Sequence, residues 1–344
     1  MTSSTTDQSA KLVTLEEFVI EAQSRFPHAT GEMTQLLMDI TLGAKIIARE
    51  INRSVLKDIN SAETITEPHS FKMARLEQFA KEQMFYALNR SNEVCMMVTD
   101  DLAEPERLNG GTGKYFVVLD PLDGTPNIAF NGAVATTFSI YQRRSDPSEP
   151  IDPAEALRAG SDQIVGGYVL YGSSIMLVFT AAGLGVTFFT MDPAIGEFCL
   201  SVPNVKVPRF KPMFSINTSF YELWPAAEQA FLDYLVSDKN MAGKAYSLRY
   251  GGSIVSDVHR ILMEGGLFTY PANSLHPRGK LHLMYKCNPL AFIMEQAGGL
   301  ATDGRQRLLD IKPVKVHHQS PVYMGSPDNM QEYSDFIESK NQAE

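Results

Sequence analysis

Residues 115–127 read YFVVLDPLDGTPN. An unbroken apolar run ends in Asp120, Asp123 follows three residues later, and Gly124 and Thr125 come at once. A short apolar run closed by turn residues predicts a buried strand. Pro121 and Gly124 force a tight turn, so two carboxylates and a hydroxyl arrive together where the strand ends. Hard divalent cations such as Mg²⁺ take carboxylate and carbonyl oxygens, and a glycine lets backbone N–H groups approach phosphate. A plain Asp-Gly turn with solvated carboxylates would leave the same local pattern.

A second acidic pair bears on that choice. VCMMV, residues 94–98, reads as another buried strand and runs into Thr99, Asp100 and Asp101. Two strands ending in acids suit a ligand at the carboxyl ends of an open α/β sheet. Asp101 equally suits a solvated loop continuing into LAEPE. The later half carries the opposite charge: Arg249 in LRYGGS, Lys280 and His282 in GKLHL, and Lys286 in MYKCNP, with Tyr250 and Tyr270 as phenolic donors. One basic residue is usually a solvated face, but together in an acidic chain these predict a phosphate pocket.

The formal charge of −10 argues against a nucleic-acid backbone as partner, because that polymer attracts basic faces. At 344 residues the chain exceeds the usual size of one core, so two domains are expected. Its 44% hydrophobic and 20% charged residues are those of a globular enzyme. Cys95, Cys199 and Cys287 lie far apart without metal-site or disulfide spacing, which fits a reducing cytoplasm. The opening MTSSTTDQSA lacks the apolar core of a signal peptide, and no window is apolar enough to span a membrane.

Residues 1–10 read as a disordered tail, after which Thr14 and Glu17 form a capping box for the helix TLEEFVIEAQSR. In GEMTQLLMDITLGAKIIAREINR, Met33, Leu36, Leu37, Ile40, Ala44 and Ile47 keep helical spacing. RLEQFAKEQMFYAL predicts a third helix. Strands follow from residue 94: VCMMV, YFVVLD, TTFSIYQ, GGYVLYG, SIMLVFT and GVTFFTM. SVPNVKVPRFKP, with three prolines, is expected to connect an N-terminal domain over 11–200 to a C-terminal one over 201–335, with a tail over 336–344. NPLAFIMEQAGG predicts a helix capped by Gly298 and Gly299.

With these elements placed, the sequence resembles class I fructose-1,6-bisphosphatase over nearly its whole length. The matching stretches are TGEMTQLL (30–37), GKYFVVLDPLDGTPNI (113–128), GGYVLYGSSIMLV (166–178), MDPAIGEF (191–198), RYGGSIVSDVHR (249–260), YPAN (270–273), NPLAFIMEQAGG (288–299) and GSPDN (325–329). Asp-Pro-Leu-Asp-Gly-Thr alone would equally suit the inositol monophosphatase relatives; the other stretches exclude them. The resemblance implies a layered α-β-α-β-α sandwich of the sugar phosphatase type in two domains, assembled as a homotetramer. It further implies Mg²⁺- or Mn²⁺-dependent removal of the 1-phosphate of fructose 1,6-bisphosphate.

Carried onto this chain, the likeness makes Glu77, Asp100, Asp101, Asp120, the Leu122 carbonyl and Asp123 metal ligands. Asp100, Asp101, Asp123 and Thr125 would serve the chemistry, with Gly124 and Thr125 touching the transferred phosphate. Asn217, Arg249, Tyr250, Tyr270 and Lys280 would hold the sugar and its other phosphate. Thr30, Gly31, Glu32, Thr34, Lys114 and Tyr115 match an AMP-type effector site.

Several positions depart from the pattern. The family's mobile-loop aspartate is Phe71, its next aspartate is Glu77, and its paired glutamates are Asp100 and Asp101. A metal-binding glutamate is Lys286, a sugar-site arginine is His282, a phosphate-binding tyrosine is Phe220, and the effector-site arginine is Gln142. Two unit charges about 4 Å apart interact by roughly 4 kcal/mol at an effective dielectric of 20, so an ammonium at 286 should weaken at least one metal subsite. The expectation is a phosphatase of impaired or altered activity, with Lys286 acting as an electrophile for phosphate. Set against it are a non-catalytic sugar-phosphate-binding regulator and a scaffold recruited to another reaction of specialised metabolism.

Overall fold

The computed structural model describes residues 12–24, 31–60 and 69–342. The tail expected over 1–10 and Thr30 lie outside them, as does the side chain of Phe71. Helix α1 (Leu15–Ser24) opens with the capping box read from the sequence: the Glu17 amide donates to Thr14 Oγ1, and the Thr14 amide donates to Glu17 Oε2. Helix α2 (Gly31–Asn60) buries Leu36, Leu37, Ile40, Ala44 and Ile47, the stripe its periodicity marked. Helix α3 (His69–Asn89) packs beside it.

These helices cover one face of an eight-stranded sheet. Its strands are β1 (Val94–Val98), β2 (Glu106–Arg107), β3 (Tyr115–Asp123), β4 (Val134–Gln142), β5 (Val165–Tyr171), β6 (Ile175–Ala181), β7 (Val186–Asp192) and β8 (Glu197–Val205). In space they run β2-β1-β3-β4-β5-β6-β7-β8. β1 and β3 are parallel, with Val98 opposite Val118, and from β3 onward the strands form an antiparallel meander. All nine residues of β3 are buried, as its unbroken apolar run requires of a strand covered on both faces.

The second sheet, β10-β9-β11-β15-β13, is built from β9 (Met213–Ser215), β10 (Ser247–Leu248), β11 (Leu267–Tyr270), β13 (Leu300–Thr302) and β15 (Val322–Gly325). β12 (Leu281–His282) and β14 (Gln319–Ser320) form a separate ribbon. Helices α5 (Ile254–Glu264) and α6 (Asn288–Gln296) fill the space between the sheets, where Val258 and Ile293 share one core with Val178 and Met324. Helices α4 (Ala226–Leu235) and α7 (Pro327–Asn341) cover the outer face of the second sheet through Phe231, Leu232, Met330 and Tyr333. The layers therefore run α-β-α-β-α, the arrangement expected.

Two boundaries differ from the sequence reading. The connection expected at SVPNVKVPRFKP begins inside β8, which continues to Val205; β8 is the last strand of its sheet, and an edge strand tolerates Pro203 because one side needs no ladder donor. The tail expected from 336 is helical to Asn341, because Phe336 and Ile337 pack on the core beneath α4. Among the described residues no helix is long and apolar enough to cross a membrane.

Candidate active site at the seam between the two halves

Parallel pairing of β1 with β3 brings both acidic pairs to the same end of the sheet. Thr99, Asp100 and Asp101 follow β1 directly, beside Asp120 and Asp123. The ladder between β3 and β4 breaks between Asp120 and Asp123, so the chain turns there while its backbone stays buried. Asp120 Oδ1 accepts from the Leu122 amide at 3.1 Å, which closes the turn and fixes the carboxylate inward. Gly124 then takes a left-handed φ of +79°. That conformation costs an L side chain roughly 1–2 kcal/mol, so glycine is the residue suited to the corner.

The other half of the chain closes on this turn. The Ser253 hydroxyl reaches Asp123 Oδ2 at 3.4 Å, and the Asn127 amide donates to the Gly251 carbonyl at 3.2 Å. Ser253 and Asn127 escaped the sequence reading, because only the fold brings the segments 124–127 and 251–253 together.

Lys286 sits at the centre of the acids. It leaves a π-helical turn, Leu283–Cys287, whose Tyr285 carbonyl is held by the Thr137 hydroxyl and whose Tyr285 ring bonds to His317 Nδ1 at 3.0 Å. Its Nζ lies 2.8 Å from Asp120 Oδ2 and 2.5 Å from Asp123 Oδ1. Burial works against the ammonium, but Asp120 and Asp123 outweigh it and hold the Lys286 pKa well above its ordinary value. Burial pushes Asp120 up to about 7, opposed by Lys286 and reinforced by Asp100 and Asp123. Asp100, although exposed, is raised by desolvation within the acid cluster, again opposed by Lys286.

Helix α3 supplies a second layer. Thr125 donates to Glu77 Oε1 at 2.6 Å, and one turn later Lys81 Nζ lies 2.6 Å from Asp101 Oδ2. Asp101 Oδ1 also accepts from the Thr99 hydroxyl at 2.6 Å. Desolvation acts to raise the Asp101 carboxyl, but its bonds from Lys81 and Thr99 outweigh that and leave it lowered. Lys81 was not singled out in the sequence; its spacing of four from Glu77 on a helix was the available signal.

These donors do not fit a divalent ion as they stand. The oxygens of Asp120 and Asp123 that such an ion would take are spent on one ammonium, and Asp101 is spent on another. Among the described residues no three His, Cys, Asp or Glu side chains are gathered closely enough to hold a metal.

Most of the residues expected to hold the sugar lie beside the acids. Asn217 and Tyr270 neighbour the phenol of Tyr250; burial pushes that phenol up to about 12, with Tyr270, Asp257 and Asp123 adding to the effect. Phe220 packs edge-on against Tyr270 with ring centres 6.4 Å apart, and Lys280 Nζ stands 5.6 Å over the Phe220 ring. Gly279 makes that placement of Lys280 possible: its φ is +81°, and a Cβ there would meet the Ser320 carbonyl carbon at 2.0 Å. His282 lies against Tyr285, ring centres 4.9 Å apart, and is lowered to about 4 by burial and by Lys286. Arg249 is exposed, its Nη1 donating to the Leu248 carbonyl.

The residues expected of an effector site lie away from the acids, at the start of α2 and of β3. Lys114 pairs with Glu32, which raises the lysine pKa. A cavity of about 360 Å³ at the start of α2 is lined by Gly31, Glu32, Asp39, Arg90 and Glu93 among others, while Thr34, Lys114 and Tyr115 are not part of its lining. Gln142 is exposed at the end of β4, its carbonyl accepting from Arg158.

The sequence matches the family described as Fructose-1-6-bisphosphatase, N-terminal domain, over residues 13–203, and its C-terminal domain over residues 207–338. A protein of Chlorobium phaeovibrioides named fructose-1,6-bisphosphatase class 1 is 42% identical over 330 residues, covering 95% of this chain and 98% of the relative. One of the same name from Chlorobium chlorochromatii is 41% identical over 334 residues, covering 96% and 99%. Among solved structures, Leishmania major fructose-1,6-bisphosphatase in holo form superposes with a TM-score of 0.85 at 32% identity, covering 94% of this chain and 99% of that one. The apo form of the same protein gives 0.83 at 32% identity, covering 95% and 99%.

Proposed function

The chain belongs to the fructose-1,6-bisphosphatase family, and on that premise we propose that it binds a sugar bisphosphate and hydrolyses one phosphoric monoester, fructose 1,6-bisphosphate giving fructose 6-phosphate, with turnover altered at Lys286. The observation that carries the reading is the convergence of Asn217, Tyr250, Tyr270 and Lys280, from separate segments, beside the turn bearing Asp123 and Thr125. Phenols and an ammonium at such a surface hold the phosphate that stays with the sugar. Gly124 brings the backbone close to the phosphate that leaves, with the Thr125 hydroxyl beside it.

Magnesium or manganese dependence, as the resemblance implies, would require the carboxylates to be freed from Lys81 and Lys286. The capture of Asp120 and Asp123 by Lys286 also favours a second reading, a sugar-phosphate-binding protein that does not turn over. Phosphate release from fructose 1,6-bisphosphate by the purified chain, measured beside calorimetric binding of fructose 6-phosphate, separates the two. Binding with release supports hydrolysis, binding alone supports the second reading, and neither would overturn both. A homotetramer, a cytoplasmic location and an AMP-type effector at Gly31, Glu32, Thr34, Lys114 and Tyr115, with Thr30 adjoining, belong to the same proposal.

A further inference from the structure

We propose that Lys81 and Lys286 are fixed cations that take the place of divalent ions at this site, so that the chain engages a phosphate group with no metal bound. The inference deepens the function proposed above and rests on that reading for the identity of the ligand. Five carboxylates, Glu77, Asp100, Asp101, Asp120 and Asp123, stand at one end of the first sheet. Asp120 and Asp123 are buried while Glu77, Asp100 and Asp101 are exposed, and two buried carboxylates side by side call for a cation, because burying unpaired carboxylates is strongly unfavourable. The chain supplies two of its own.

Both ammoniums are held in place. Lys286 issues from a turn anchored at Tyr285 by Thr137 and His317, and it is flanked by the fully buried Tyr285 and Cys287. Asp123 is steadied from the other side by Ser253. Lys81 reaches Asp101 from α3 while the Thr99 hydroxyl fixes the same carboxylate. For an ion to enter between Asp120 and Asp123, Lys286 must leave both, and no repositioning of Asp101 alone would complete a ligand set. An ammonium has three donors. Lys286 donates to Asp123 and stands in ion-pair contact with Asp120, so its donors are not all spent and one can meet a phosphate oxygen.

The test counts ions rather than turnover. The purified chain is titrated with Mn²⁺ by calorimetry and by the spin-resonance signal of free Mn²⁺, and separately with inorganic phosphate in EDTA and in Mg²⁺. The expected result is no Mn²⁺ binding below about 1 mM and phosphate affinity that differs less than about threefold between the two buffers. Lys286→Glu should bind Mn²⁺ at least about tenfold more tightly than the parent, because a third carboxylate joins Asp120 and Asp123. Lys81→Gln should gain less, since Asp101 is only one ligand. Stoichiometric Mn²⁺ binding to the parent below about 0.1 mM, or phosphate binding that disappears in EDTA, overturns the proposal. If Lys286→Glu does not fold, the two titrations of the parent still decide the matter. A chain that binds phosphate without metal but neither binds nor hydrolyses sugar phosphates would defeat the function proposed above and leave this inference standing.

Discussion

Gly124 and Ser253 meet across the seam between the two halves of the chain: a Cβ on Gly124 would lie 3.1 Å from the Ser253 Cβ. Because Gly124 also holds φ at +79°, Gly124→Ala combines a backbone penalty of about 1–2 kcal/mol with a crowded contact. Urea unfolding should show at least that loss. Ser253→Gly added to it should relieve the contact and leave the backbone part. A wild-type midpoint for the single variant would contradict both the backbone penalty and the contact.

Lys286→Met keeps the length of the side chain and removes its charge. Asp120 is then buried without compensation, and breaking a buried pair from one side costs about 3–5 kcal/mol. The melting temperature should fall in the absence of metal and recover in part when Asp120→Asn accompanies it. An unchanged melting temperature would show that Asp120 and Asp123 do not depend on the ammonium.

His259 gives the fold a pH dependence unrelated to the acids. Burial, against the Phe188 ring and beside the Tyr168 hydroxyl 2.8 Å from Nδ1, lowers its pKa to about 4 from an ordinary 6.5. The unfolded chain therefore takes up a proton before the folded one does. The stability this provides is complete above pH 6.5 and is lost as pH falls toward 4, with a slope approaching about 1.4 kcal/mol per unit. Urea midpoints of wild type and His259→Gln should converge across that window, and parallel curves would contradict the assignment.

Arg249 is exposed at the edge of the second sheet, and among the described residues its Nη1 donates to the Leu248 carbonyl. If it completes the pocket of a neighbouring subunit, light scattering will give a tetrameric mass and Arg249→Ala will weaken fructose 6-phosphate binding about tenfold or more. A monomer with unimpaired Arg249→Ala binding would remove Arg249 from the site.

Much of this architecture was legible because its signals are periodic. The stripe Leu36, Leu37, Ile40, Ala44 and Ile47 on α2 and the unbroken run of β3 each admit one burial pattern. The acids at the ends of β1 and β3 were legible for the same reason, since two buried strands that end in carboxylates deliver them where the sheet ends. What stayed hidden was contact between distant segments. Lys81 looks like a solvated helical lysine until α3 is laid over Asp101, and Ser253 looks like an ordinary helix-start serine until α5 meets the turn after β3. Phe336 and Ile337 read as a tail because their partners beneath α4 lie about a hundred residues earlier.

The placement of Lys286 also bears on what inheritance can do with this pocket. A lysine codon becomes a glutamate codon through one nucleotide change, so a carboxylate at 286 is a single mutational step away. That step would exchange an internal counter-charge for an extra acid beside Asp120 and Asp123, and the product would need a cation from the cell to stay folded as tightly. Its abundance would then follow the intracellular supply of divalent ions. If the proposal above holds, one base separates a chain that carries its own counter-charge at Asp120 and Asp123 from one that draws it from the cell.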